Sequence, residues 1–141
     1  MPERPRSYAI KAEIADSGAG SWAFAAQKTM YDGRRIAVGD VIYLFASENE
    51  GGAGLVARGV VTSAEDTPRL PDVERQTPRV SITVKRTAVA TRRLGRAELK
   101  PFKDWDDGRP ETELNFKFYR QATNKIVGLS PAAAELLSGF C

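Results

Sequence analysis

The segment from Val38 to Glu65, VGDVIYLFASENEGGAGLVARGVVTSAE, limits the fold more than any other part of the chain. It holds two apolar runs of strand length, Val41 to Ala46 and Leu55 to Thr62. Gly39-Asp40 stands before the first run. Gly tolerates positive φ and Asp bonds to its own nearby backbone, so the pair predicts a turn. Ser47 to Gly54 is polar and rich in Gly, and predicts a loop at the far end of that strand. A buried hairpin with an adaptable polar loop at one end suits a barrel whose mouth holds a ligand.

The flanking sequence supplies further elements. Ser7 to Ile14 alternates apolar and polar residues and reads as a strand. Trp22 to Met30 is rich in Ala and lacks Gly and Pro, which predicts a short helix with Ser21 as its N-cap. Pro68 to Pro78 carries three prolines and predicts a long surface connection. Arg79 to Ala90 alternates Val80, Ile82 and Val84 with polar residues, as a half-buried strand does. Leu94 to Phe102 predicts one or two helical turns, and Phe102 to Pro110 a loop that holds Trp105. Leu114 to Tyr119 alternates again and reads as a strand, followed by a short strand over Lys125 to Leu129. Ser130-Pro131 opens a terminal helix, because Ser caps well and Pro at the first helical position needs no amide hydrogen. Leu136, Leu137 and Phe140 form its apolar side. These elements predict an α/β (α+β) domain over residues 1–141, with its core between about 7 and 140.

The chain has no histidine, and its single cysteine is the last residue, Cys141. That removes Ser-His-Asp and Cys-His catalysis, the usual zinc ligand sets and any internal disulfide. The expectation is a protein that is not an enzyme, with no metal and no cofactor. No run approaches the ~20 apolar residues of a membrane span. The N-terminus lacks the apolar core of a secretory signal, and the simple reading is a cytoplasmic protein. The net charge of +3 is unevenly spread. Arg79 to Lys103 carries eight basic residues against Glu98 alone, and is followed by Asp104, Asp106, Asp107, Glu111 and Glu113. Such a distribution suits either a solvated dipolar surface or a surface that faces a nucleic acid.

Taken in order, IKAEI, SWAF, VGDVIYLFAS, GLVARGVVTSAE and FKFYRQATNKIVGLSPAAAELL resemble the PUA-like superfamily of small pseudobarrels, and most of all its EVE branch. LFASENEGGAGLVARGVV is also similar to the matching hairpin of the related YTH domains. The resemblance spans about Tyr8 to Phe140. It implies a mixed β pseudobarrel of five or six strands with short flanking helices and a C-terminal helix. It further implies a non-catalytic module that binds nucleic acid, RNA or DNA, often by reading a modified base. Pro68 to Pro78 has no aromatic residue where a YTH-like cage would draw one of its walls. Two other readings stay open: a ribonuclease like those of the related ASCH branch, and a small-molecule sensor. The ASCH signature Gly-x-Lys-x-x-Glu-x-Arg is absent, since Lys11-Ala12-Glu13 has the wrong spacing.

Within that frame Trp22 is the leading ligand contact, because an indole offers a flat face for a base. Phe24, two residues on in the predicted helix, would point away from it into the core. Ser47 and Asn49 follow the central strand and could read a base edge, since Asn both donates and accepts. Lys11 could reach a phosphate at the mouth. Tyr119, Arg120, Gln121 and Asn124 form a polar cluster whose equivalent in the family approaches the pocket. Trp105, among three aspartates, is expected to be a structural anchor, and Tyr43 and Phe45 to be core.

Overall fold

The structure, a computed structural model, describes residues 7–12, 20–30, 35–46, 54–66, 79–91, 94–102, 104, 108–116 and 125–141. Among these are six strands: β1 (Ser7–Ala12), β2 (Ser21–Met30), β3 (Val41–Ala46), β4 (Gly54–Asp66), β5 (Arg79–Val89) and β6 (Lys125–Gly128). Three helices accompany them: α1 (Arg96–Leu99), α2 (Pro110–Phe116) and α3 (Pro131–Ser138). The strands close into a ring in the order β1-β3-β4-β5-β2-β6. β1 pairs in parallel with β3, and β2 with β6; the other four ladders are antiparallel.

The turn at Gly39-Asp40 forms as the sequence predicts. Gly39 has φ 94°, a left-handed conformation that Gly adopts without penalty. The Asp40 carboxylate accepts from Ala37 N–H at 2.9 Å, and Gly39 N–H donates to Val61 O at 2.9 Å. Gly54, at φ 83°, opens β4 where a Cβ would collide with Leu94 O and lie 2.8 Å from Gly95 Cα. That close approach lets Leu55 N–H reach Leu94 O at 2.8 Å.

Alternation sends side chains to two cores. The ring interior packs Tyr8, Ile10, Phe24, Ile42, Leu44, Val61, Val80, Ile82, Val84 and Ile126, so every strand contributes. The outer face of β1, β3 and β6 packs Ala9, Tyr43, Phe45 and Val127 against Leu99, Leu114, Ala133 and Leu137 of the helices. Each fully buried Leu there contributes roughly 1.5–3 kcal/mol. Tyr43, Phe45 and Phe24 are core, as expected.

Two elements differ from the expectation. Trp22 to Met30 is a strand, not a helix, and Ser21 is its first residue rather than an N-cap. The helix preference of Ala over other residues is at most about 0.7 kcal/mol per residue. The ladders that β2 forms with β5 on one side and β6 on the other outweigh it. Conversely, Leu114 to Phe116 lies in α2 instead of a strand. Pro110 suits its first position, and Glu111 and Glu113 complement its N-terminal dipole. Asn115 is buried there and donates to Phe102 O at 2.9 Å.

The terminal helix begins where Ser130-Pro131 places it. Ser130 is extended, at φ −67° and ψ 158°, and its hydroxyl accepts from Ala133 N–H at 3.1 Å. Glu113 of α2 accepts from Ser130 N–H at 3.0 Å and from the Ser130 hydroxyl, which ties the two helices at that cap. The connection over 68–78 and Trp105 lie outside the described residues.

Candidate ligand site at one end of the barrel

Strand directions decide which chain ends can meet. β1, β3 and β5 run one way round the ring, and β2, β4 and β6 the other. Ala12, Ala46 and Val89 therefore finish at the same barrel end at which Ser21 and Gly54 begin, whereas Lys125 pairs with Lys28 near the other end of β2. Trp22 lies one residue inside that rim. It is half-buried and packs on the interior cluster. As β2 is a strand, Phe24 faces the same way as Trp22, one layer deeper, instead of pointing away from it.

The neighbouring strand adds a residue that the sequence reading passed over. Val80, Ile82 and Val84 alternate into the ring, and Arg86 continues the row. Arg86 pairs with Gly59, which itself pairs with Ile42 of the interior cluster. Trp22 pairs with Val84, so Arg86 is its diagonal neighbour on the inward face, at roughly 7–8 Å between Cα atoms. Arg86 N–H donates to Gly20 O at 2.8 Å, which fastens the approach to Trp22 onto β5. The other inward positions at this end are small. Ala12 belongs to the interior cluster, Ala46 pairs with Ala12, and Gly59 pairs with Arg86. A Cβ on Gly59 would collide with the Val84 side chain. An indole and a guanidinium thus project among residues with almost no side chain, an arrangement suited to a flat ligand with anionic or acceptor groups. The period-2 row of β5 was the available signal for Arg86, since it extends one step past Val84.

Lys11 does not join this group. It is 2% exposed and pairs with Phe45, on the outer, helix-covered face of the wall. It is neither at the inner rim with Trp22 nor solvent-facing. Arg58 also belongs to the outer face. It pairs with Tyr43, and its positive charge favours the ionised form of that phenol. Burial pushes the Tyr43 phenol above its ordinary 10.0, with Arg58 opposing, and Tyr43 Oη donates to Ala134 O at 3.3 Å. Burial likewise pushes the Cys141 thiol up, against the same guanidinium. Ser47, Asn49, Tyr119, Arg120, Gln121 and Asn124 lie outside the described residues. Ala46, which precedes the segment of Ser47 and Asn49 in the chain, stands at the same barrel end as Trp22; Lys125, which follows the segment of Tyr119 to Asn124, pairs with Lys28 farther along β2.

No protein-family model matches this chain, and no curated protein sequence does. Solved structures do match. Human THYN1, in a crystal structure with 5-methylcytosine-containing DNA, has a TM-score of 0.62 at 14% identity, over 95% of this chain and 96% of that one. The DUF55 domain of human thymocyte nuclear protein 1 has a TM-score of 0.61 at 14% identity, over 94% and 96%. A Pseudomonas putida protein has a TM-score of 0.63 at 16% identity, over 95% and 98%. Likeness at these identities establishes architecture. The chain has the EVE-type, PUA-like pseudobarrel fold.

Proposed function

We propose that this protein is a non-catalytic nucleic-acid-binding module that accepts a single base, modified in its natural ligand, at the rim of the ring. Trp22 stacks on the base, and Arg86 meets an acceptor atom beside it. Ser47 and Asn49 read the base edge, and the polar cluster Tyr119, Arg120, Gln121 and Asn124 supplies further contacts, with Arg120 on a phosphate. The observation that carries the reading is the inward pair Trp22 and Arg86 at the barrel end where β3 finishes at Ala46, just before Ser47 and Asn49 in the chain. The shared fold of human THYN1, crystallised with 5-methylcytosine-containing DNA, supports it.

The test is fluorescence titration with a panel of RNA and DNA oligonucleotides, with and without base modifications. Trp22→Ala, confirmed as folded by circular dichroism, should weaken binding by about 1–3 kcal/mol while leaving its salt dependence nearly unchanged. A folded Trp22→Ala protein that binds every member as tightly as the wild type would place the pocket elsewhere.

A further inference from the structure

The outer face of β2 and β5, with the adjoining end of β6, carries an ordered charge pattern. Lys28 pairs with Arg79 of β5 on one side and with Lys125 of β6 on the other. Their neighbours Gln27 and Thr29 pair with the interior residues Val80 and Ile126, so the three cations share the outward face. Like charges directly opposite one another across strands destabilise a sheet. Arg79 and Lys125 also make other contacts within the protein, so what matters is the summed charge of the row.

Toward the rim, the outward residues of β5 run Arg79, Ser81, Thr83, Lys85: cation, hydroxyl, hydroxyl, cation. The span is about 20 Å at 3.3 Å per residue. Beside them β2 presents Ser21, Ala23 and Ala25, all exposed, and Ser21 pairs with Lys85 at the rim. Ala23, Ala25, Ser81 and Thr83 line a shallow depression of about 240 Å³. The Thr83 hydroxyl is within 2.7 Å of those of Thr62 and Ser63. Glu65 borders the β4 side of the depression, where its carboxylate repels phosphate.

We propose that this face is a phosphate track: the sugar–phosphate backbone of a single nucleic-acid strand crosses the rim at Lys85, lies along β2 and β5, and ends on the row Arg79, Lys28, Lys125. The inference rests on the reading of the rim as a base site. Small side chains leave room for the backbone, hydroxyls offer it hydrogen bonds, and Glu65 confines it to the β2 and β5 side. Basic groups stand at both ends of the path.

The experiment compares the tightest-bound oligonucleotide of the panel, about 12 nucleotides long, with a core of about 3 nucleotides around the same base, at several salt concentrations. The variant Lys28→Gln, Arg79→Gln, Lys125→Gln should bind the short probe like the wild type. For the long probe its slope of log K on log salt should be shallower by about 2, or about 20-fold less affinity change between 50 and 200 mM salt, since each single-strand phosphate contributes about 0.7. Trp22→Ala should weaken both probes. Lys28→Glu guards against misfolding of the triple variant: it puts an anion between two cations, so it should raise the melting temperature while it weakens the long probe. A triple variant, or Lys28→Glu, with unaltered affinity and slope for the long probe overturns the track and leaves the base site standing. Equal loss on both probes overturns it as well, because the cations would then act at the rim. A wild-type protein that binds no member of the panel overturns the base site and the track together.

Discussion

Tyr43 shows how one side chain sets the response of the fold to alkali. Its phenol is 3% exposed and its pKa is raised by burial above 10.0. The unfolded chain therefore releases this proton at lower pH than the folded one. The stabilisation is fully present below the unfolded value and is lost as pH rises from there through the folded value. Cys141, raised from 9.0 for the same reason, adds to the loss over a lower window. Urea denaturation at pH about 8 and about 11 should show the wild type less stable at the higher pH. Tyr43→Phe should flatten that difference, while costing about 1 kcal/mol at the lower pH for its hydrogen bond to Ala134 O. A Tyr43→Phe protein with the same alkaline loss as the wild type would assign that loss to other groups. Arg86 belongs to this scale too. Its inward orientation follows from its parity with Val84, which is readable in sequence once β5 is known to line a ring.

At the scale of elements, the link between α2 and α3 is concentrated in one carboxylate. Glu113 accepts from both the amide and the hydroxyl of Ser130, and that hydroxyl caps α3. Glu113→Ala should cost about 1–3 kcal/mol, because it strands partners in a half-buried site. Ser130→Ala should cost about 1 kcal/mol as a lost cap. The double variant should cost less than the sum, since both remove the same contact, and thermal melts of the four proteins measure the difference. Additive losses would mean that the cap and the carboxylate act separately. Ser130-Pro131 was legible because capping is local chemistry. So were the Gly39-Asp40 turn and the alternation in β1, β3 and β5. β2 was not legible, since nothing within Trp22 to Met30 declares that strands lie on both its edges. In α2 the signal was present in Pro110 to Glu113, but the alternation of the residues after it suggested a strand. Of the candidate site, Trp22 was legible from its chemistry. The position of Lys11 was not, because strand alternation leaves open which face of a wall turns inward.

For the whole molecule, the closing strand is the shortest of the six described. β6 has four residues, yet it joins β1 on one edge to β2 on the other. Ile126 is fully buried in the ring interior, and Ile126→Ala should cost about 2–5 kcal/mol in urea denaturation. Lys125→Gln, one residue away and half-exposed, should cost less than about 0.5 kcal/mol. Comparable losses from the two would show that β6 contributes little interior packing. Closure has one more consequence. While β6 is seated, it covers the edge of β1 over Tyr8 to Ile10 and that of β2 over Lys28 to Met30. Should β6 lift away, two edges are exposed at once, and the β6 of another copy matches both. Opening of this four-residue seam should therefore lead to slow strand exchange between copies, which a concentration-dependent dimer peak in size-exclusion chromatography would report.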